Sequence, residues 1–269
     1  MYNKVVVYFK WGGFKMEIRG NTKYYKTILI GIIYMVYFYI FCTFMYQNGW
    51  FISVKDVSLS NLGTALLGDI GSMLMFSLIL ILVYRKNLNE LGITKSKLSM
   101  VLLLIYALFF ILHGDYTVNG VYRAFFYLFV ISLSEEIIYR GYIYNNLKKH
   151  NRISAIIISG ILFGIMHSIL PSVLAESSVL VMIKDMFNQL GGGILSGYIF
   201  ILYLEKSNSV FVPILIHALL DYSYGILGLV VAIIVLAYLL ITSKRKEESK
   251  TTSKYLVEEV NSVEDNPEN

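Results

Sequence analysis

Eight apolar stretches follow one another along this chain, at about 27–47, 62–84, 98–113, 121–146, 153–170, 178–204, 209–223 and 225–243. No other feature limits the fold as strongly. A helix needs roughly 20 predominantly apolar residues to cross the hydrocarbon of a bilayer, and once inside it must satisfy its own backbone hydrogen bonds. The third, fifth, seventh and eighth stretches are short for a crossing. Of the 269 residues, 57% are hydrophobic and only 15% are charged, with a mean hydropathy of +0.63. A soluble domain could not cover so much apolar surface with so few charges. The expected fold class is all-α: a polytopic integral membrane protein of about eight transmembrane helices around a polar intramembrane cavity.

The cations alternate with these stretches. Lys4, Lys10, Lys15, Arg19, Lys23 and Lys26 precede the first. Arg85, Lys86, Lys95 and Lys97 occupy the second connection, Lys148, Lys149 and Arg152 the fourth, and Lys206 the sixth; Lys244, Arg245 and Lys246 follow the last stretch. The odd connections hold little beyond Lys55, with Arg123 at the start of the fourth stretch. Eight crossings with both termini cytoplasmic satisfy the positive-inside rule. The net charge of +5 and pI of about 9.0 are then explained without a nucleic-acid partner. The expected organisation is a basic cytoplasmic segment over 1–26, a membrane domain over 27–243 and a disordered cytoplasmic tail over 244–269. No cleavable signal peptide is expected, because the first apolar run is long, aromatic and lacks a small-residue cleavage site. Met16 is an alternative start to Met1. The single cysteine, Cys42, implies no disulfide framework and reads as a small apolar side chain.

Charge inside such stretches is where function is expected. Residues 134–144 read Ser-Glu-Glu-Ile-Ile-Tyr-Arg-Gly-Tyr-Ile-Tyr directly after an apolar run. Four positions separate Glu136 from Arg140, with the acid N-terminal, which is the favourable order for a helical ion pair. Glu135 points about 100° away and has no such partner in its own helix, which leaves it for chemistry. The plainer alternative is that all three line a polar seam between helices. His167 ends "FGIMH", with Phe163 one turn earlier; His217 opens "HALLD", with Asp221 one turn later. An isolated histidine in an apolar helix is more often a satisfied core residue. Together, however, an acid and two imidazoles on three helices can activate water and polarise a carbonyl. Ser134, Ser168 and Ser223 adjoin these residues, but neither G-x-S-x-G nor H-E-x-x-H is present. Asp69 is a further acid in the second stretch, with Arg140 or Lys184 as candidate partners. Gly193 and Gly197 form a small-x-x-x-small pattern suited to close helix packing.

"EEIIYR", "FGIMH" and "HALLD" resemble the signatures E-E-x-x-x-R, F-x-x-x-H and H-x-x-x-N of the CAAX-protease and bacteriocin-processing (CPBP) family. That family is also called Abi and includes type II CAAX prenyl endopeptidases. The likeness covers about 121–223 and preserves the order of the motifs. It implies an intramembrane endopeptidase acting on a membrane-associated or lipidated peptide or protein, with roles in peptide maturation or bacteriocin immunity. Glu135 and His167 would activate water, Glu136, Arg140 and Phe163 would support the site, and His217 with Asp221 would face the oxyanion. Asp221 stands where the family often has Asn. An ionised Asp can only accept a hydrogen bond, so the favoured expectation is that Asp221 orients and charges His217.

The family has been described both as metal-dependent and as glutamate-type. Glu135, His167 and His217 could together hold a zinc ion, yet they lack the tight helical spacing of H-E-x-x-H sites, so no obligatory cofactor is expected. Two other classes compete. One is a secondary transporter moving protons through Glu135, Asp69 and the histidines, against which stands the lack of a visible inverted repeat. The other is a non-catalytic immunity or scaffold protein.

Overall fold

The architecture is that of a computed structural model, which describes residues 5–11, 14–20 and 22–264. An antiparallel hairpin of β1 (Val5–Trp11) and β2 (Phe14–Gly20) precedes eight helical segments. These are α1 (Thr22–Gln47), α2 (Leu62–Val83), α3 (Lys97–His113), α4 (118–147), α5 (Arg152–Leu174), α6 (Val179–Ser207), α7 (Phe211–Asp221) and α8 (Leu227–Glu264). Each apolar stretch of the sequence is therefore helical. Five segments are long and apolar enough to cross a membrane: α1, α2, α5, α6 and the Leu227–Arg245 part of α8. The protein is a multi-pass membrane protein. The α3 and α7 segments are shorter apolar helices. The hairpin lies within the basic N-terminal segment, and α8 runs on through 244 to Glu264. No Gly or Pro interrupts the chain between 244 and 264, so nothing local stops the helix. Met1 and residues 265–269 lie outside the described residues.

Local signals set the helix ends. Asn151 Oδ1 accepts the Ser154 N–H at 2.9 Å and Thr117 Oγ1 accepts the Gly120 N–H at 3.2 Å, capping α5 and α4. At the other end of α3, Gly114 takes a left-handed φ of 64° that ends the helix.

The centre of the bundle is α4. From Ser134 to Leu147 each of its residues is buried, as expected for a helix surrounded on all sides. It is also wound unusually. Phe126–Leu133 and Glu136–Tyr144 are π-helical, with Ser134 and Glu135 between them. Ser132 Oγ donates to the Tyr127 carbonyl at 2.7 Å, five residues back, which matches the wider turn. Such segments concentrate at functional sites.

Close packing of α5 on α6 fixes the other wall. A Cβ on Gly193 would lie 2.4 Å from Gly164 Cα and 2.6 Å from the Gly160 carbonyl oxygen. Only glycine lets these backbones touch, which is the packing role the sequence predicts for Gly193. Gly197 continues the contact, and its missing Cβ would sit 4.0 Å from Arg140 Nη2. The glycine seam thus leaves room for the guanidinium.

Candidate active site

Arg140 is wholly buried in α4 and pairs with the equally buried Glu136, Nη1 to Oε1 at 3.1 Å. Its guanidinium carbon lies 4.1 Å from the ring centroid of Phe163 in α5 and 5.0 Å from that of Phe200 in α6. Both rings present faces to the cation, an arrangement favoured in a dry interior. Phe163 also meets the His167 ring edge-on at 4.4 Å and Tyr139 at 5.3 Å. The first and second motifs are therefore locked together by a ring that touches the cation of one and the imidazole of the other.

The third motif enters from α7. His217 Nδ1 donates to Glu136 Oε1 at 3.0 Å, while Nε2 lies 3.8 Å from Glu135 Oε2 and 3.5 Å from Asp221 Oδ2. Phe200 packs on the same imidazole at 5.0 Å. In α5, His167 Nδ1 donates to the Phe163 carbonyl at 2.9 Å. A carbonyl can only accept, so Nδ1 carries the proton and Nε2 of a neutral His167 is left as the basic nitrogen.

Two layers result. The inner one, Glu136 and Arg140, is sealed at 0% exposure. The outer one contains Glu135 and His217, at 6% and 8% exposure, behind the open His167 and Asp221. A peptide carbonyl approaching from the open side would meet His167 and Asp221 first, and Glu135 and His217 Nε2 behind them.

Asp221 pairs with His217 on Nε2, the nitrogen turned toward Glu135, while Glu136 holds Nδ1. The same Glu136 oxygen serves both Arg140 and His217. Asp69 finds neither Arg140 nor Lys184 but the hydroxyl of Tyr122 in α4. Among the described residues, no three His, Cys, Asp or Glu side chains converge in metal-holding geometry.

Three site residues carried no sequence signal. Phe200 sits in an ordinary apolar run, yet it touches both Arg140 and His217. Tyr34 of α1 and Tyr139 of α4 are 0% and 1% exposed, pack edge-on on each other at 6.5 Å, with Tyr139 also against Phe163, and have no hydrogen-bond partner for their hydroxyls among the described residues. Tyrosine is too common in this chain to mark either from sequence.

Fold and site together define a multi-pass membrane protein that buries a carboxylate–guanidinium pair and brings two imidazoles to it from separate helices. Residues 117–223, which contain all of these motif residues, match the family model described as type II CAAX prenyl endopeptidase Rce1-like. Neither a curated protein nor a solved structure matches the chain.

Proposed function

We propose that this protein is an intramembrane endopeptidase that hydrolyses a peptide bond in a membrane-associated or lipidated peptide or protein. The observation that carries the reading is His217, which spans from Glu136 on Nδ1 to Glu135 and Asp221 on Nε2. Water is held between Glu135 and His167. As its oxygen bonds to the scissile carbonyl carbon, its proton passes to Glu135. The carbonyl oxygen becomes an oxyanion and accepts from His217 Nε2–H, whose ring is kept in place by Glu136. Collapse then breaks the C–N bond, and Glu135 returns the proton to the leaving amine. Glu136 and Arg140 do not touch substrate; they position His217 and Phe163. The reaction is of the glutamate type and needs no obligatory metal. Eight crossings with both termini in the cytoplasm agree with the alternating cations.

The test is Glu135→Gln in the reconstituted full chain, with a lipidated peptide as substrate. Loss of cleavage by about 10²–10⁴-fold is expected for removal of a general base, with unfolding behaviour unchanged. Cleavage at the wild-type rate would refute the assignment. Activity is expected to survive exhaustive chelation; its loss, and recovery on adding zinc, would overturn the metal-free reading.

A further inference from the structure

A large cavity opens outside the catalytic cluster. It encloses about 800 Å³ between α3, α4 and α7, within the size range of ligand pockets. Its walls are apolar: Met100 and Leu103 from α3, Phe129 and Leu133 from α4, and Ile214 and Leu215 from α7. Met100 and Leu103 remain 61% and 42% exposed, so the groove is open along α3. One end is different. Lys95 and Lys97 line it, both exposed, and neither forms an ion pair among the described residues. Between them Ser96 caps α3, its Oγ accepting the Ser99 N–H at 3.4 Å.

We propose that this groove is a binding site for an anionic phospholipid, with an acyl chain along the α3–α4–α7 walls and the phosphate between Lys95 and Lys97. The charge pattern selects this occupant. An apolar trough alone would accept any hydrocarbon. Two unneutralised ammonium groups at one end of it demand an anion at the depth where the hydrocarbon stops, and a phospholipid carries both parts in one molecule. The positive start of α3 adds to the attraction. The site is also placed to matter. Leu133 lies two residues before Glu135, and Ile214 three before His217. A bound chain packs on the two helices that carry these groups without touching either of them.

The proposal does not rest on the hydrolytic reading, and its test needs no substrate. The full chain is reconstituted in nanodiscs with equal phosphatidylglycerol and phosphatidylcholine, released, and examined by native mass spectrometry for retained lipid. The wild type is expected to retain phosphatidylglycerol. Lys95→Ala with Lys97→Ala should weaken that retention roughly thirtyfold. Leu103→Trp, which fills the groove and keeps the charges, should reduce it as well. Thermal unfolding of each variant establishes that it is folded. Equal retention of both lipids by the wild type, or unchanged retention by either variant, overturns the proposal. So does displacement of neither lipid from the groove when a bulky spin label is attached to a Cys introduced at Leu103.

Discussion

Replacing Arg140 by Met separates the structural from the chemical parts of the site. Arg140 and Glu136 are each 0% exposed and 3.1 Å apart. Removing one partner of a buried pair costs about 3–5 kcal/mol, because the other charge stays behind uncompensated. Two features set the value at the low end. Glu136 keeps its hydrogen bond from His217 at 3.0 Å. The Met thioether refills part of the volume against Phe163 and Phe200, and sulfur–aromatic contacts contribute about 0.3–1.5 kcal/mol. A loss of about 3 kcal/mol is expected, more than a hundredfold in the folding equilibrium. Adding Glu136→Gln in the same chain removes the stranded charge and keeps an acceptor for His217 Nδ1–H. The double variant should therefore recover at least half of the loss. Equilibrium unfolding in mixed micelles, followed by circular dichroism, measures all three proteins. A double variant whose loss equals the sum of the two single losses would refute the buried-pair reasoning.

Three further outcomes follow from the same geometry. Asp221→Asn should retain activity within about tenfold, since Glu136 still holds His217 Nδ1, whereas Glu136→Gln should lower kcat more deeply; steady-state cleavage rates of the two compare directly. Gly193→Ala places a Cβ 2.4 Å from Gly164 Cα and 2.6 Å from the Gly160 oxygen, backbone atoms that cannot swing aside. It should destabilise by about 1–3 kcal/mol in unfolding assays and reduce cleavage by moving His167 with α5. At the surface, Lys149 at 3.0 Å and Lys23 at 3.8 Å hold the Glu90 carboxyl below its ordinary range. A depressed carboxyl stabilises above its unfolded pKa of about 4.3 and loses that contribution as pH falls through the lowered folded value. The pair is largely exposed, so less than about 1 kcal/mol is involved. Lys149→Ala should flatten the acid side of the unfolding profile between about pH 5 and pH 3, with little effect at neutral pH.

Much of this protein is written locally. Apolar run lengths forecast all eight helical segments, because a backbone in hydrocarbon has few ways to satisfy its own hydrogen bonds. The Glu136–Arg140 pair and the Phe163–His167 contact were legible for a similar reason: both join residues four apart, and the helical period alone sets them side by side. The likeness of 117–223 to a protease family also needed only motifs in order along the chain.

What the tertiary structure decided is which groups meet across helices. The hydrogen bond from His217 to Glu136 joins residues 81 positions apart, and no period in the sequence brings them together. Glu136 therefore looked committed to Arg140 alone. Phe200 was likewise hidden among ordinary apolar residues. Its contacts with Arg140 and His217 depend on how closely α6 approaches α4 and α7, and glycines at 160, 164, 193 and 197 set where α6 lies against α5. A single chain states its own helical faces. How far apart two such faces rest is fixed by the smallest residues between them, and that distance assigns each carboxylate its partner.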